Sequence, residues 1–315
     1  MAAIGFGTIV TVEGDVKILS LAKTPPFLKF NGNKFSYKKA RVGQKVKSDQ
    51  FINTGPDGKA KVIYPSGDHF TVGPGSSIKM PKAEIGKKKK SPTMEILFGK
   101  VRSLVSKNGD LKSLKVKTSS AVAGVRGTDF FVSSNPSKGT QISVLRGKVE
   151  VSMMESLSHP KGPTKDNVSA SNTIVAAGYT AHVKAIATAS GPSNKNKSEP
   201  IDVDVLSREK LIQVQTSTQI KTSPSETSNL SDEIKQEVKV LQEKSRQAVV
   251  EDIKIEDPDL YKQIIKQPTE NVDEISTQVV SKFYHNAPAE NHEIKPSKEE
   301  VDQLGKDIYE KYFKK

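Results

Sequence analysis

The residues with the most distinctive chemistry lie in segment 121–130, which reads Ala-Val-Ala-Gly-Val-Arg-Gly-Thr-Asp-Phe. Gly124 and Gly127 permit sharp backbone bends on either side of Arg126, because glycine lacks the Cβ atom that restricts other residues. In one interpretation, the planar guanidinium of Arg126 binds a carboxylate of a ligand or partner. In the other, which we favour, backbone carbonyls or an internal carboxylate lock Arg126 in place as a structural staple. The predicted structural residues are Gly124, Val125, Arg126, Gly127, Thr128 and Phe130.

A second candidate for binding is a run of four consecutive cations, Lys87, Lys88, Lys89 and Lys90. Such a run attracts nucleic acid, anionic lipid or acidic polysaccharide, and phosphate binding of this kind weakens steeply with salt. The alternative is a solvated loop tip between strands, which the flanking Gly86 and Pro92 favour. We expect the solvated loop, since lysine dominates over arginine and bidentate phosphate recognition favours arginine.

Residues and motifs typical of catalysis are missing from the sequence. Without cysteine there is no disulfide, thiolate zinc site or cysteine nucleophile. The phosphate-binding, dinucleotide-binding, zinc-protease and EF-hand motifs are also absent, as is a serine nucleophile elbow. Asp68 and His69 fall in a predicted hairpin turn, where solvated side chains are expected. The sequence predicts no enzyme, no cofactor and no metal site, and its five histidines lack metal-ligand spacing: His69, His159, His182, His285 and His292.

The first three-fifths of the chain has the pattern of β structure. Apolar residues at positions 10, 12, 16 and 18 alternate with polar ones around Glu13-Gly14-Asp15, which predicts a hairpin. Dense turn clusters such as 54–58, 65–68 and 73–77 follow at intervals of about 8–12 residues. The fold class is therefore predicted as mainly β, with many short strands in a solenoid-like or sandwich-like domain.

Composition divides the 315 residues into unlike parts. Nineteen of the 21 glycines lie at or before Gly178, and segment 1–183 carries 29 basic and 12 acidic residues. Segment 184–315 carries 20 basic and 24 acidic residues. The hydrophobic share of 34% is below the roughly 45–50% of globular domains. We predict a β domain at 1–183, a flexible linker at 184–230, and a helical, partly disordered tail at 231–315.

Short amphipathic patterns occur within the predicted tail. Ser231 has the form of an N-cap, and Asp257-Pro258 is typical of a helix start. One interpretation is that these helices fray in water, because short isolated helices are barely stable. The equally weighted alternative is that a stripe fills a groove of another protein. The candidate docking stripe consists of Val301, Leu304, Ile308 and Tyr312.

Segment 124–130 resembles the hallmark of FecR-type domains, and we call it the hallmark segment. The order of its surroundings is similar to that family as well, from the opening strand and turn at 42–55 to the central hairpin at 66–76. Segment 97–101 resembles the strand before the hallmark, and segment 144–151 resembles the strand pair after it. The resemblance covers residues 42–151, about a third of the chain.

The resemblance implies a β-rich domain that is usually periplasmic and has no catalytic residues attributed to it. The best-known member is an anti-sigma regulator of iron uptake, in which a cytoplasmic helical domain and one transmembrane helix precede the β domain. Neither precedes the β pattern here, so we expect a different role. Ala2-Ala3 ahead of the first strand is typical of a signal-peptide remnant. We expect a periplasmic or envelope-associated protein whose signal peptide was removed; a cytoplasmic protein is the alternative.

These observations predict a non-enzymatic, FecR-like binding or scaffolding module of the envelope, with a role in signalling. Its expected partner is a protein or a cell-wall component, and the tail is expected to dock on it. The alternative is a basic protein that binds nucleic acid or another anionic polymer. The chain has no stretch of the ~20 apolar residues that a transmembrane helix needs.

Overall fold

The computed structural model describes residues 6–22, 28–30, 32–48, 50–81, 91–154, 172–185, 201–220 and 230–266. Within them the chain forms many short strands, and three helices follow the last strand. The predicted mainly β fold class, with a helical region toward the C-terminus, is confirmed.

The strands and helices have the following bounds. The first nine strands are β1 (Phe6–Glu13), β2 (Val16–Leu21), β3 (Leu28–Phe30), β4 (Asn33–Lys39), β5 (Lys45–Lys47), β6 (Phe51–Thr54), β7 (Lys59–Ile63), β8 (His69–Val72) and β9 (Ser77–Lys79). The next nine are β10 (Thr93–Val105), β11 (Leu114–Lys117), β12 (Ala121–Val125), β13 (Thr128–Asn135), β14 (Gly139–Arg146), β15 (Lys148–Met153), β16 (Thr173–Ala176), β17 (Tyr179–Val183) and β18 (Asp202–Val205). The helices are α1 (Arg208–Thr218), α2 (Asp232–Glu256) and α3 (Pro258–Lys266).

These strands form two sheets that share one long strand. Sheet A has the order β5-β1-β7-β8-β10-β13-β14-β17-β18, and every pairing in it is antiparallel. Sheet B has the order β3-β4-β2-β6-β9-β10-β11-β12-β15-β16, in which only the β10–β11 pairing is parallel. Both sheets contribute to a single buried cluster, which includes Ile9 and Phe130 from sheet A and Ile18 and Met94 from sheet B. The fold is therefore a β-sandwich.

The apolar alternation at positions 10–18 forms two strands that do not pair with each other. Strand β1 pairs with β5 and β7 in sheet A, whereas β2 pairs with β4 and β6 in sheet B. The expected hairpin is therefore a crossing between sheets, made at Gly14 with its positive φ of 67°. A turn of the expected kind does join β7 to β8, where Ala60 lies opposite Val72.

Strand β10 belongs to both sheets because it changes direction at Gly99. Its first part pairs with β9 in sheet B, and its second part pairs with β8 and β13 in sheet A. Gly99 has a φ of 103°, and a Cβ atom there would lie 2.5 Å from the Cβ of Ser76. The Ser76 hydroxyl also accepts the N–H of Lys100 at 2.9 Å. Gly99 thus allows one strand to join the two layers.

The three helices cover the outer face of sheet A. Helix α1 packs through Leu211 and Val214 against Phe131 and Leu145. Helices α2 and α3 bury Val249, Ile253, Leu260 and Ile264 with Leu104, which projects from β10. Leu241 of α2 also packs on β1 and β7. The helices form a third layer on the sandwich.

This third layer differs from the predicted domain boundaries. The segment predicted as a flexible linker, 184–230, contains β18, which pairs with β17, and helix α1. Within the predicted tail, α2 and α3 are packed rather than loosely held. The physical reason is that the outer face of sheet A carries Leu104, Phe131 and Leu145, whose burial requires a cover. The predicted docking stripe at 301–312 lies outside the described residues.

The role of Gly99 predicts a large loss of stability on substitution. Gly99→Ala combines a strained φ with overlap on Ser76, so the free energy of unfolding should fall by about 3 kcal/mol. Gly75→Ala is the matched control, because Gly75 also has a positive φ, 61°, but open space around its missing Cβ. It should cost only about 1 kcal/mol. Urea denaturation followed by circular dichroism measures both, and equal losses would contradict this account of β10.

Candidate functional site

The hallmark segment forms the end of β12, a bend, and the start of β13. Arg126 and Gly127 make the bend, and Gly127 has a positive φ of 65°. A Cβ atom on Gly127 would overlap the side chain of Lys107, and one on Gly147 would lie 2.7 Å from the carbonyl oxygen of Gly127. Glycine is required at 127 and 147 because backbone and side chains approach closely at both positions.

Asp129 of the hallmark segment forms a buried, bidentate ion pair. Its carboxylate accepts two hydrogen bonds from Arg102, one from Nε at 3.0 Å and one from Nη2 at 2.8 Å. Both side chains are buried, on neighbouring strands β13 and β10. The planar guanidinium and the carboxylate match each other in a bidentate pair, which is the strongest geometry for such a contact. This pair is the internal staple that we had expected Arg126 to provide.

A second buried arginine connects the sandwich to helix α2. Arg146, at the end of β14, contacts Asp252 through Nη2 at 3.3 Å and Glu256 through Nη1 at 3.2 Å. Lys107 adds an ion pair to Glu256 at 2.8 Å. Burial raises the pKa of Asp252 above its ordinary value, and Arg146 opposes that rise by favouring the charged form. Opposite charges thus meet between the sandwich and the last two turns of α2.

Asp68 is a buried structural carboxylate, which corrects the expectation of a solvated turn. It accepts the N–H groups of Ser106 at 2.7 Å and Leu111 at 3.1 Å, and the hydroxyl of Ser66 at 2.7 Å. Burial raises the pKa of Asp68 despite these donors. The side chain of His69 is also buried, and its Nδ1 lies 2.6 Å from the hydroxyl of Ser245 on α2. The loop at 106–111 folds around Asp68, which removes that carboxylate from solvent.

Arg126 is exposed, in contrast to the expectation that it is locked inside. Within the described part of the chain, no hydrogen bond or ion pair of its side chain is seen. The bend places it on the surface because its neighbours Val125 and Gly127 take the buried positions. Gly124 lies within β12 at an ordinary φ, opposite Lys115 on one side and Glu150 on the other. The hallmark segment therefore has one buried anchor, Asp129, and an exposed surface.

The buried charged groups of this region form structural ion pairs and hydrogen bonds. Among the described residues, no group of His, Cys, Asp or Glu side chains could hold a metal ion. In the same residues, no helix is long and apolar enough to cross a membrane. The buried carboxylates Asp68, Asp129 and Asp252 are each bonded to groups of the fold itself.

Residues 50–150 match the family described as FecR protein. The chain carries a FecR domain. The matched residues include Arg102, Asp129 and Arg146, and they agree with the resemblance found at 42–151. Strands β1–β5 and the three helices lie outside the match, so Asp252 and Glu256 come from beyond the FecR domain.

No curated protein sequence matches the chain. Two solved structures are similar to it, both of a candidate anti-sigma factor from Parabacteroides distasonis ATCC 8503, at 2.50 Å and 1.65 Å resolution. Each is 19% identical, covers 49% of this chain, and gives a TM-score of 0.34. The chain spans 59% of the length of those proteins.

The structure brings together residues that the sequence analysis did not select. Arg102, Arg146 and Asp252 were missed because they are far apart in sequence and each resembles an ordinary surface charge. Asp129 carried a usable signal, since it directly precedes the apolar run Phe130-Phe131-Val132 within β13. The predicted basic cluster at 87–90 lies outside the described residues.

The buried pair of Arg102 and Asp129 predicts a distinctive mutational pattern. Asp129→Ala leaves a buried arginine without its partner, so the free energy of unfolding should fall by about 3–5 kcal/mol. The double variant Arg102→Met with Asp129→Leu removes both charges and should lie within about 2 kcal/mol of the wild type. Urea denaturation followed by circular dichroism measures each value.

Glu95→Gln is the control for this series, because Glu95 forms a partly exposed pair with Lys79 at 3.6 Å. It should change stability by about 0.5 kcal/mol or less. The interpretation of Asp129 as an anchor fails if Asp129→Ala is as mild as this control.

Proposed function

We propose that this protein is a non-enzymatic binding or scaffolding module of the bacterial envelope, acting in signalling through a protein or cell-wall partner. The observation that carries the proposal is the FecR domain at 50–150. The buried charged groups of this domain bond to other parts of the fold and stabilise it. They are Asp68, Asp129 and Arg146. The exposed surface is then the part left for recognition.

The packed helices support a revised division of labour in the C-terminal part. Helices α1, α2 and α3 have their apolar faces buried against sheet A, so those faces serve the fold. Docking of a partner by the tail is assigned to residues after 266. The stripe of Val301, Leu304, Ile308 and Tyr312 is the segment proposed for that contact, because helical spacing places its members on one face.

Binding of nucleic acid is the competing function, and the excess of positive charge favours it. The chain has a net charge of +13, and the run at 87–90 adds local density. A filter-binding titration with duplex DNA at ~50 mM salt, where phosphate contacts are strong, tests this alternative. Tight binding that weakens steeply with salt would replace the envelope proposal.

The proposal predicts the cellular location of the protein and the substitutions that weaken its binding to a partner. Fractionation of the native cells should place the full-length protein in the envelope or periplasmic fraction. Crosslinking in those cells should capture a defined partner, and Leu304→Asp with Ile308→Asp should reduce that product at least about tenfold, equivalent to about 1.4 kcal/mol.

Gln303→Asp is the control, since it adds charge beside the stripe without altering it. Recovery of the protein in the cytoplasmic fraction would contradict the location. An equal loss of the crosslinked product in the control and the stripe variant would contradict the role of the stripe.

A further inference from the structure

We propose that the exposed face of sheet B around Gly124 binds an extended, acidic segment of a protein partner. This inference rests on the proposed binding function and names the surface and the chemistry of its partner. The surface, which we call the basic face, consists of Lys115, Lys117, Arg126 and Lys148 arranged around Gly124.

The alternation of the strands places these cations on the outer side of sheet B. In β11, Leu114 and Val116 are buried in the core while Lys115 and Lys117 are exposed. Lys115 lies directly opposite Gly124 on the neighbouring strand β12. The basic face is therefore part of a regular sheet surface.

Two further cations extend this surface toward the hallmark bend. Val125 lies opposite Val149 in the antiparallel pairing of β12 with β15. Arg126 follows Val125 and Lys148 precedes Val149, so the two cations are neighbours at the end of this pairing. Both are exposed.

The charges of the basic face are not neutralised within the described residues. None of its four cations has an ion pair there. Glu95 lies beside Lys117 in the β10–β11 pairing, but its carboxylate pairs with Lys79 at 3.6 Å. The acid nearest Gly124 is Glu150, whose carboxylate accepts a hydrogen bond from the Asn172 amide at 2.7 Å. The surface therefore has an excess of positive charge available to an anionic partner.

Gly124 is not required by the fold, in contrast to the other glycines of this region. Its φ is ordinary, and a Cβ atom there would meet nothing closer than Glu150 at 3.7 Å. Gly127 and Gly147 have positive φ and crowded surroundings. A glycine inside a strand often marks a place where another backbone approaches closely. Because Gly124 has no side chain, the sheet surface is a shallow groove at this point. The groove is the width of strand β12 and lies between Lys115 and Glu150; we call its base the floor.

The geometry of the basic face favours an extended peptide over a flat partner. Lys115 and Lys117 are separated by about 7 Å along the strand, which is the repeat of alternate side chains in an extended peptide. A planar lipid surface would contact the lysine ammonium groups and leave the floor at Gly124 unfilled, whereas an extended peptide can lie on it. Ile174, opposite Glu150 and 69% exposed, offers an apolar contact beside the charges.

Fluorescence anisotropy with a labelled (Glu-Thr)4 peptide and the full-length protein at ~50 mM salt tests the inference. The wild type should bind this probe, and a (Lys-Thr)4 peptide should not bind. Gly124→Leu fills the floor at an ordinary φ and should weaken binding at least about tenfold, as should Lys115→Gln with Lys117→Gln and Lys148→Gln. Glu150→Gln removes the repelling acid and should tighten binding about threefold.

The control variant is Lys38→Gln with Lys39→Gln and Lys47→Gln, which removes three exposed charges from β4 and β5, away from the basic face. It should bind the probe as the wild type does, and circular dichroism should show that every variant is folded. Failure of the wild type to bind (Glu-Thr)4, or equal weakening in the control variant, would overturn the inference.

A second arm with vesicles of phosphatidylglycerol and phosphatidylcholine separates the peptide from a lipid surface. If the wild type binds only vesicles, or if Gly124→Leu leaves peptide binding unchanged, the proposed occupant is wrong. The location and the crosslinked partner are measured separately, so an envelope protein that ignores the probe would refute this inference and leave the proposed function standing.

Discussion

Two arginines buried on or beside the outer face of sheet A constrain the rest of the structure. A guanidinium cannot be deprotonated in a protein, and a buried charge without a partner is strongly destabilising. Arg102 is neutralised within the sheet by Asp129, at 2.8 Å. Among the described residues, the carboxylates that contact Arg146 are Asp252 and Glu256, both on helix α2. The sandwich therefore depends on the helical layer electrostatically as well as through the apolar contacts around Leu104.

The hallmark segment connects this constraint to the proposed function. Asp129 anchors β13 to β10, and Phe130 enters the core. Gly127 allows the tight bend, and Gly124 and Arg126 remain on the exposed side. The second half of the hallmark segment thus fixes strand β13, and its first half forms part of the exposed surface of sheet B. A binding module benefits from this arrangement, because a surface on a rigid sheet needs no ordering when a partner arrives.

Much of the β part could be predicted from the sequence, because side-chain alternation and turn residues act locally. The turn at 65–68 and the FecR-like order of segments were found in this way. The hairpin expected at Gly14 was wrong because alternation defines strands but does not define which strands pair. Asp68 and His69 were expected in solvent, since a turn with serine and glycine usually faces water. Their burial comes from the loop at 106–111 and from helix α2, which are distant in sequence.

The packing of the helices on sheet A was the largest feature that the sequence did not reveal. The start of α2 was recognised from its N-cap Ser231, but the target of this helix on sheet A was not. Phe131 lies in the apolar run Phe130–Val132 and Leu104 lies next to Val105, so the second buried face could not be distinguished from the first. The pairing of Arg146 with Asp252 joins residues 106 positions apart, and local patterns carry no information about such a contact.

Hydrogen exchange of the full-length protein, read by mass spectrometry, tests most directly whether α2 belongs to the folded unit. Amides at 241–253 should exchange as slowly as those of β13, through unfolding of the whole protein. Asp252→Asn should speed exchange in α2 and at the end of β14, because Arg146 loses a charged partner. Fast exchange of α2 in the wild type, with β13 still protected and no effect of Asp252→Asn, would show that the helices are a loosely attached appendage and would contradict this account.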